Sequence, residues 1–129
     1  MASIYILGHE LQGDFFDADF VDLYEAAAKR MRDQAAAGEH VHYNSLGEAY
    51  RAQCKLVKDY FDGVFGKGTA DELFDGSNNI KEHMQAFAEL VDLAQKNQKE
   101  TNDFINKYTQ RQNAAVRHIE EKRRRGNRR

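Results

Sequence analysis

Apolar and polar residues alternate along this chain in two different rhythms. At the N-terminus Ile4-Tyr5-Ile6-Leu7 is a short β-rich run. Gly8-His9 follows, then Glu10-Leu11-Gln12-Gly13-Asp14-Phe15-Phe16. Two short extended runs around a glycine-containing turn predict a hairpin over residues 3–16. A hairpin alone is marginal in water, so it has to pack on a helix or pair with another chain.

After residue 16 the period becomes helical. Asp17-Ala18-Asp19 supplies capping residues, and Phe20, Leu23, Tyr24, Ala27 and Met31 recur at spacings of three and four. This predicts a helix over about 17–37, stopped by Gly38 at the position after its end. Ser45-x-x-Glu48 has the form of a capping box and opens a second helix over about 45–62. Its apolar face is Leu46, Tyr50, Cys54, Val57, Phe61 and Val64. A glycine-rich segment, Gly63 to Gly68, follows. Thr69-x-x-Glu72 repeats the capping-box form and starts a short helical turn over Leu73 and Phe74, ended by Asp75-Gly76.

Ser77-Asn78-Asn79 caps the last helix, predicted over about 78–120. Its stripe runs Ile80, Met84, Phe87, Val91, Ala94, Gln98, Thr101, Ile105, Tyr108, Gln112, Val116, Ile119. The first half is apolar throughout; Gln98, Thr101 and Gln112 dilute the second. A helix of that span is on the order of 60 Å long, more than the diameter expected of the body. The expectation is a helix that begins in the core and projects beyond it. The predicted fold is therefore mainly α: a short N-terminal β-hairpin, three helices plus a short helical turn, and a long projecting C-terminal helix. Residues 1–120 form a single α-rich domain, and 121–129 a basic flexible tail.

Composition narrows the class. The chain has 129 residues, no Pro, no Trp and one Cys. One domain fits that length. A disulfide scaffold, a collagen-like chain and a Pro-rich linker are excluded. Without Pro, long helices can run unbroken. The lone Cys54, on an apolar stripe, suits a reducing cytosol. The N-terminal apolar run lacks preceding Lys or Arg and is too short for a signal peptide, and no stretch is long enough to span a membrane. A soluble, cytoplasmic product is expected. The net charge of −2 hides a split: residues 111–129 hold eight Lys/Arg and two acids, whereas residues 1–110 hold 11 and 19.

Motifs with catalytic or ligand-binding potential fall short of their patterns. Gly66-Lys67-Gly68-Thr69 superficially matches a phosphate-binding loop, but Phe61 and Gly68 stand where Gly and Ser/Thr are required, and a helix precedes it rather than a strand. Asp71 to Glu82 has the length of a calcium loop, but Leu73 takes the place of an oxygen ligand. His40 and His42 have spacing suited to a metal but no matching third ligand. His9, His83 and His118 are scattered, and Cys54 reads as a buried inert thiol. The acids at helix starts are explained by capping and the helix dipole. No enzyme, cofactor or metal is expected. The tail Lys122-Arg123-Arg124-Arg125-Gly126-Asn127-Arg128-Arg129 has three readings: phosphate contacts with nucleic acid, docking on an acidic protein surface, or a solubilising helix end.

Two segments carry a family resemblance: Asp17-Ala-Asp-Phe-Val-Asp-Leu-Tyr-Glu-Ala26, and Phe65-Gly-Lys-Gly-Thr-Ala-Asp-Glu-Leu-Phe-Asp-Gly-Ser-Asn-Asn79. With the N-terminal strand pair and the charged tail, they resemble the small tail assembly chaperones of long-tailed phages and prophages of Gram-positive bacteria. That resemblance implies a non-catalytic protein of the bacterial cytoplasm that binds the tape-measure protein and tail-tube subunits. It also implies a longer frameshifted form. The half-apolar stripe fits such a role, since an amphipathic helix face is a surface that can exchange helical partners. The candidate partner-binding residues are Phe104, Ile105, Tyr108, Val116 and Ile119, with Arg123, Arg124 and Arg125. Self-association through the hairpin or the last helix stays open. So do two other readings: a phage structural protein of the connector type, and a small nucleic-acid-binding protein using the basic end. The acidic body argues against a broad DNA-binding face.

Overall fold

The computed structural model describes residues 2–126, with side chains through residue 123. The order of elements is β1 (Ser3–Ile6), β2 (His9–Gln12), α1 (Ala18–Gly38), α2 (Leu46–Phe65), α3 (Thr69–Phe74) and α4 (Ile80–Gly126). The mainly α class, the N-terminal hairpin, the short helical turn and the long C-terminal helix are all as the periodicity predicts. The chain divides into two units, Met1–Ala94 and Gln95–Arg129.

Strands β1 and β2 pair antiparallel with Ile4 opposite Leu11 and Ile6 opposite His9. The two-residue connection is Leu7-Gly8, both at positive φ (50° and 80°). Left-handed conformation at both positions is the signature of the turn whose twist matches a hairpin. Leu7 is an unusual residue for that conformation. Ile4, Ile6 and Leu11 are buried while Tyr5 and Glu10 are exposed, so one face of the ribbon packs on the body. The second extended run is shorter than predicted. It stops at Gln12, because Asp14 accepts from the N–H of Phe16 at 2.9 Å and bends the chain into α1. Gly13 lies so close to the Phe20 ring that a Cβ there would come within 2.5 Å of it.

Helix α1 begins as expected, with the Asp17 carboxylate accepting from the N–H of Asp19 at 2.9 Å. Its end differs. Gly38 is inside the helix, and Glu39 caps it in right-handed conformation, donating to the Ala36 carbonyl. The last turn tightens rather than reversing hand, so no glycine is needed there. Helix α2 is capped by Ser45, whose Oγ accepts from Glu48 N–H at 3.1 Å; the Glu48 carboxylate reaches back to Asn44 N–H at 3.0 Å. Ala27 of α1 meets Gly63 of α2, where a Cβ would sit 3.1 Å from that of Ala27. The absent side chain lets the two helices approach closely. Cys54, Val57, Tyr60, Phe61 and Val64 are buried. Leu46 and Tyr50 at the start of α2, and Leu23 on α1, are exposed, contrary to the predicted stripe.

The second predicted capping box does not form. The cap of α3 is Gly68, without a side-chain hydrogen bond. Thr69 Oγ1 donates to Gly66 O at 2.7 Å, and the first free N–H of α3, that of Ala70, donates to Asp62 Oδ1 of α2 at 2.8 Å.

Helix α4 starts on Asn79, whose Oδ1 accepts from Glu82 N–H at 3.1 Å. Within Met1–Ala94, its fully buried residues are His83, Ala86 and Leu90. The predicted stripe lies one residue off this line: Met84 is exposed, and Phe87 and Val91 are only half-buried. His83 is why the pattern was displaced. It reads as polar, yet its ring stacks on Phe74 at 3.8 Å between centroids, with planes 11° apart. The helix also continues to Gly126 rather than ending near 120, so residues 121–126 of the predicted flexible tail are helical. Lys and Arg are good helix formers, and cations at a helix C-terminus favour its dipole.

Candidate partner-binding surface

From Gln95 onward α4 contains no Pro, and its single Gly is the terminal Gly126. Thr101 turns its hydroxyl back onto the Asn97 carbonyl at 2.8 Å, satisfying itself within the helix. Every side chain described from Asn102 to Arg123 is exposed. The five predicted apolar residues, Phe104, Ile105, Tyr108, Val116 and Ile119, are between 52% and 69% exposed. Phe104 and Tyr108, one turn apart, stack their rings with centroids 6.4 Å apart and planes 16° apart. Contiguous large apolar side chains left exposed on a surface are a common mark of an interaction site. Arg123 lies on the same helix and is exposed. The backbones of Arg124 and Arg125 are helical, but their side chains lie outside the described residues, as do Asn127, Arg128 and Arg129 entirely.

The charge split is sharper on the two units than on the boundary at residue 110. Residues 1–94 carry eight Lys/Arg against 17 Asp/Glu, and residues 95–129 carry 11 against four.

The sites weighed from sequence resolve differently. The glycine-rich linker cannot offer the α3 N-terminus to a phosphate, because Asp62 already occupies it. Asp71 is within α3 and Asp75 is its left-handed cap, so the residues spaced like a calcium loop serve two helix ends. His40 and His42 are exposed, and no group of three or more His, Cys, Asp or Glu that could hold a metal occurs among the described residues. Cys54 is fully buried, and burial raises its thiol pKa, partly opposed by Lys58. No described helix is long and apolar enough to cross a membrane.

Two buried polar groups were not singled out from sequence. The Tyr60 phenol sits inside the core, and burial, with the Tyr24 hydroxyl beside it, raises its pKa. His83 is the other. Its Nδ1 lies 2.7 Å from Asn79 O, which fixes Nδ1 as the donor in the neutral ring, while Nε2 is buried without a partner. Burial lowers its pKa, against a smaller opposite effect of the Asn79 carbonyl.

Residues 7–128 match the model of a family of unknown function (DUF6673). The chain belongs to this family. The match covers the chain from Leu7 through the exposed stripe of α4, leaving out β1, so the stripe is part of the family's extent. No curated protein and no solved structure matches the chain.

Proposed function

We propose that this DUF6673 protein is a non-catalytic assembly chaperone of a phage or prophage tail, acting in the bacterial cytoplasm. Its clients on this reading are the tape-measure protein and tail-tube subunits. The observation that supports the reading is the exposed apolar stripe Phe104, Ile105, Tyr108, Val116 and Ile119 on the second half of α4, where every described side chain from Asn102 to Arg123 is exposed. A long helical client buries its own apolar face against such a stripe and leaves again without covalent chemistry. The resemblance of Asp17–Ala26 and Phe65–Asn79 to tail assembly chaperones supplies the identity of the client.

Sedimentation of the full chain with and without a co-expressed tape-measure fragment tests this. Co-sedimentation lost on Ile105→Glu supports it; a chain that ignores the fragment refutes it. The second reading, nucleic-acid binding, draws on the cationic balance of residues 95–129. Phosphate-driven binding weakens steeply with salt and disappears when residues 122–129 are deleted, so a salt titration with duplex DNA separates the two.

A further inference from the structure

The exposed stripe has a symmetry that a client-binding face does not require. Its core positions are Ile105, Tyr108, Gln112, Val116 and Ile119. Relative to Gln112 they stand seven and four residues before it, and four and seven after it. At the helical repeat all five fall within about 80° of arc. The eleven-residue steps from Ile105 to Val116 and from Tyr108 to Ile119 keep the stripe nearly straight along the helix. A stripe that reads the same from both ends is self-complementary under a two-fold axis, which a closed dimer of identical chains requires.

We propose that the occupant of this stripe in the isolated protein is a second copy of it, paired antiparallel about a two-fold axis through Gln112. Ile105 of each copy then faces Ile119 of the other, and Tyr108 faces Val116. The Gln112 amides meet on the axis, where each supplies a donor and an acceptor to the other. Phe104, stacked on Tyr108, flanks the contact.

Charge chooses the direction. A parallel pair aligns Lys122-Arg123-Arg124-Arg125 of one helix with the same run of the other, and like charges side by side repel. The antiparallel pair sets that run beside Lys99-Glu100-Thr101-Asn102 of the second copy, which carry no net charge, and places the two basic ends at opposite ends of the contact. Its five core positions, Ile105, Tyr108, Gln112, Val116 and Ile119, are all exposed in the single chain. It does not depend on the chaperone reading, and a client helix would compete for the same five side chains.

The test uses the full chain. Sedimentation equilibrium across a micromolar concentration series is expected to give twice the 14.8 kDa chain mass, and Ile105→Glu or Ile119→Glu to return the monomer mass at the same concentrations. Both residues are exposed, so both variants keep the helical circular dichroism of the native chain. For direction, Ile105→Cys and Ile119→Cys proteins are oxidised separately and mixed; Cys54 is buried and takes no part. A disulfide dimer formed only in the mixture supports the antiparallel pair. Disulfide dimers from each variant alone indicate a parallel pair and overturn the proposal. A monomer at every concentration overturns it and leaves the stripe to a different protein. A mass above two chains that collapses with salt also overturns it, in favour of basic ends docking on acidic bodies.

Discussion

The backbone N–H of Leu7 donates to Oε2 of Glu89 at 2.8 Å. This bond ties the left-handed tip of the hairpin to the third turn of α4, 82 residues further along the chain. It satisfies a partly buried donor in the turn with a charged acceptor, a stronger arrangement than a neutral pair. Glu89→Ala is expected to lower stability by about 1.5–3 kcal/mol, read from the midpoint of urea unfolding. Amide exchange in β1 and β2 should rise more than in α2. A loss confined to surface-mutation size would show that the hairpin is held by Ile4, Ile6 and Leu11 alone.

His83 makes stability pH-dependent. Burial holds its pKa below the ordinary value near 6.5. The neutral ring is the form the fold accepts, because protonated Nε2 would be a buried donor with no acceptor. Its charged neighbours are Lys58, which disfavours protonation, and Glu82, which favours it slightly. Well above pH 6.5 neither folded nor unfolded chain holds the proton, and the full stability is present. As pH falls below that value the unfolded chain takes up the proton first, so stability declines toward the lowered folded pKa. Urea midpoints between pH 7.5 and 5 should fall in the native protein and fall less in His83→Phe.

Leu90 and Met84 test which line of α4 faces the core. Leu90 is fully buried and Met84 exposed. Leu90→Ala should cost about 2–5 kcal/mol, as for a core leucine. Met84→Ala should stay within about 0.5 kcal/mol, as for a surface site. Equal losses in thermal or urea unfolding would restore the line through Met84, Phe87 and Val91.

Cys54 should be silent in the native state. Its side chain is buried and its thiol pKa raised, and the thiolate is the reactive form. A colourimetric thiol reagent at pH 8 should titrate essentially no thiol in the folded chain and one per chain in urea. Rapid native labelling would mean that α2 opens readily around Val57 and Phe61.

Much of this fold is legible in the amino-acid sequence. The β-rich run Ile4-Tyr5-Ile6-Leu7 marked β1, and three- and four-residue spacing marked α1, α2 and α4. What failed was reading residue character by letter. His83 is a polar letter that behaves as an aromatic plate on Phe74, and ignoring it displaced the α4 stripe by one position. Leu46 and Tyr50 are apolar letters in the first turns of α2, where burial turns on what the tertiary arrangement places over them. The Thr69–Glu72 capping box matched its pattern, but Asp62 had already reached the same helix start from α2. The exposed stripe was legible as residues, since Phe104, Ile105, Tyr108, Val116 and Ile119 lie exposed on one helix. Its occupant is a property of a second molecule, which no intrachain pattern encodes.

The bond from Asp62 to Ala70 also bears on the order of folding. A six-residue helix does not hold together in water by itself. Helix α3 therefore has no independent existence before α2 presents its last turn, and the two should open as one cooperative unit. The amides of Leu73 and Phe74 would then exchange with solvent only when those of Phe61 and Val64 do, so the shortest helix of the molecule is as long-lived as the helix that caps it.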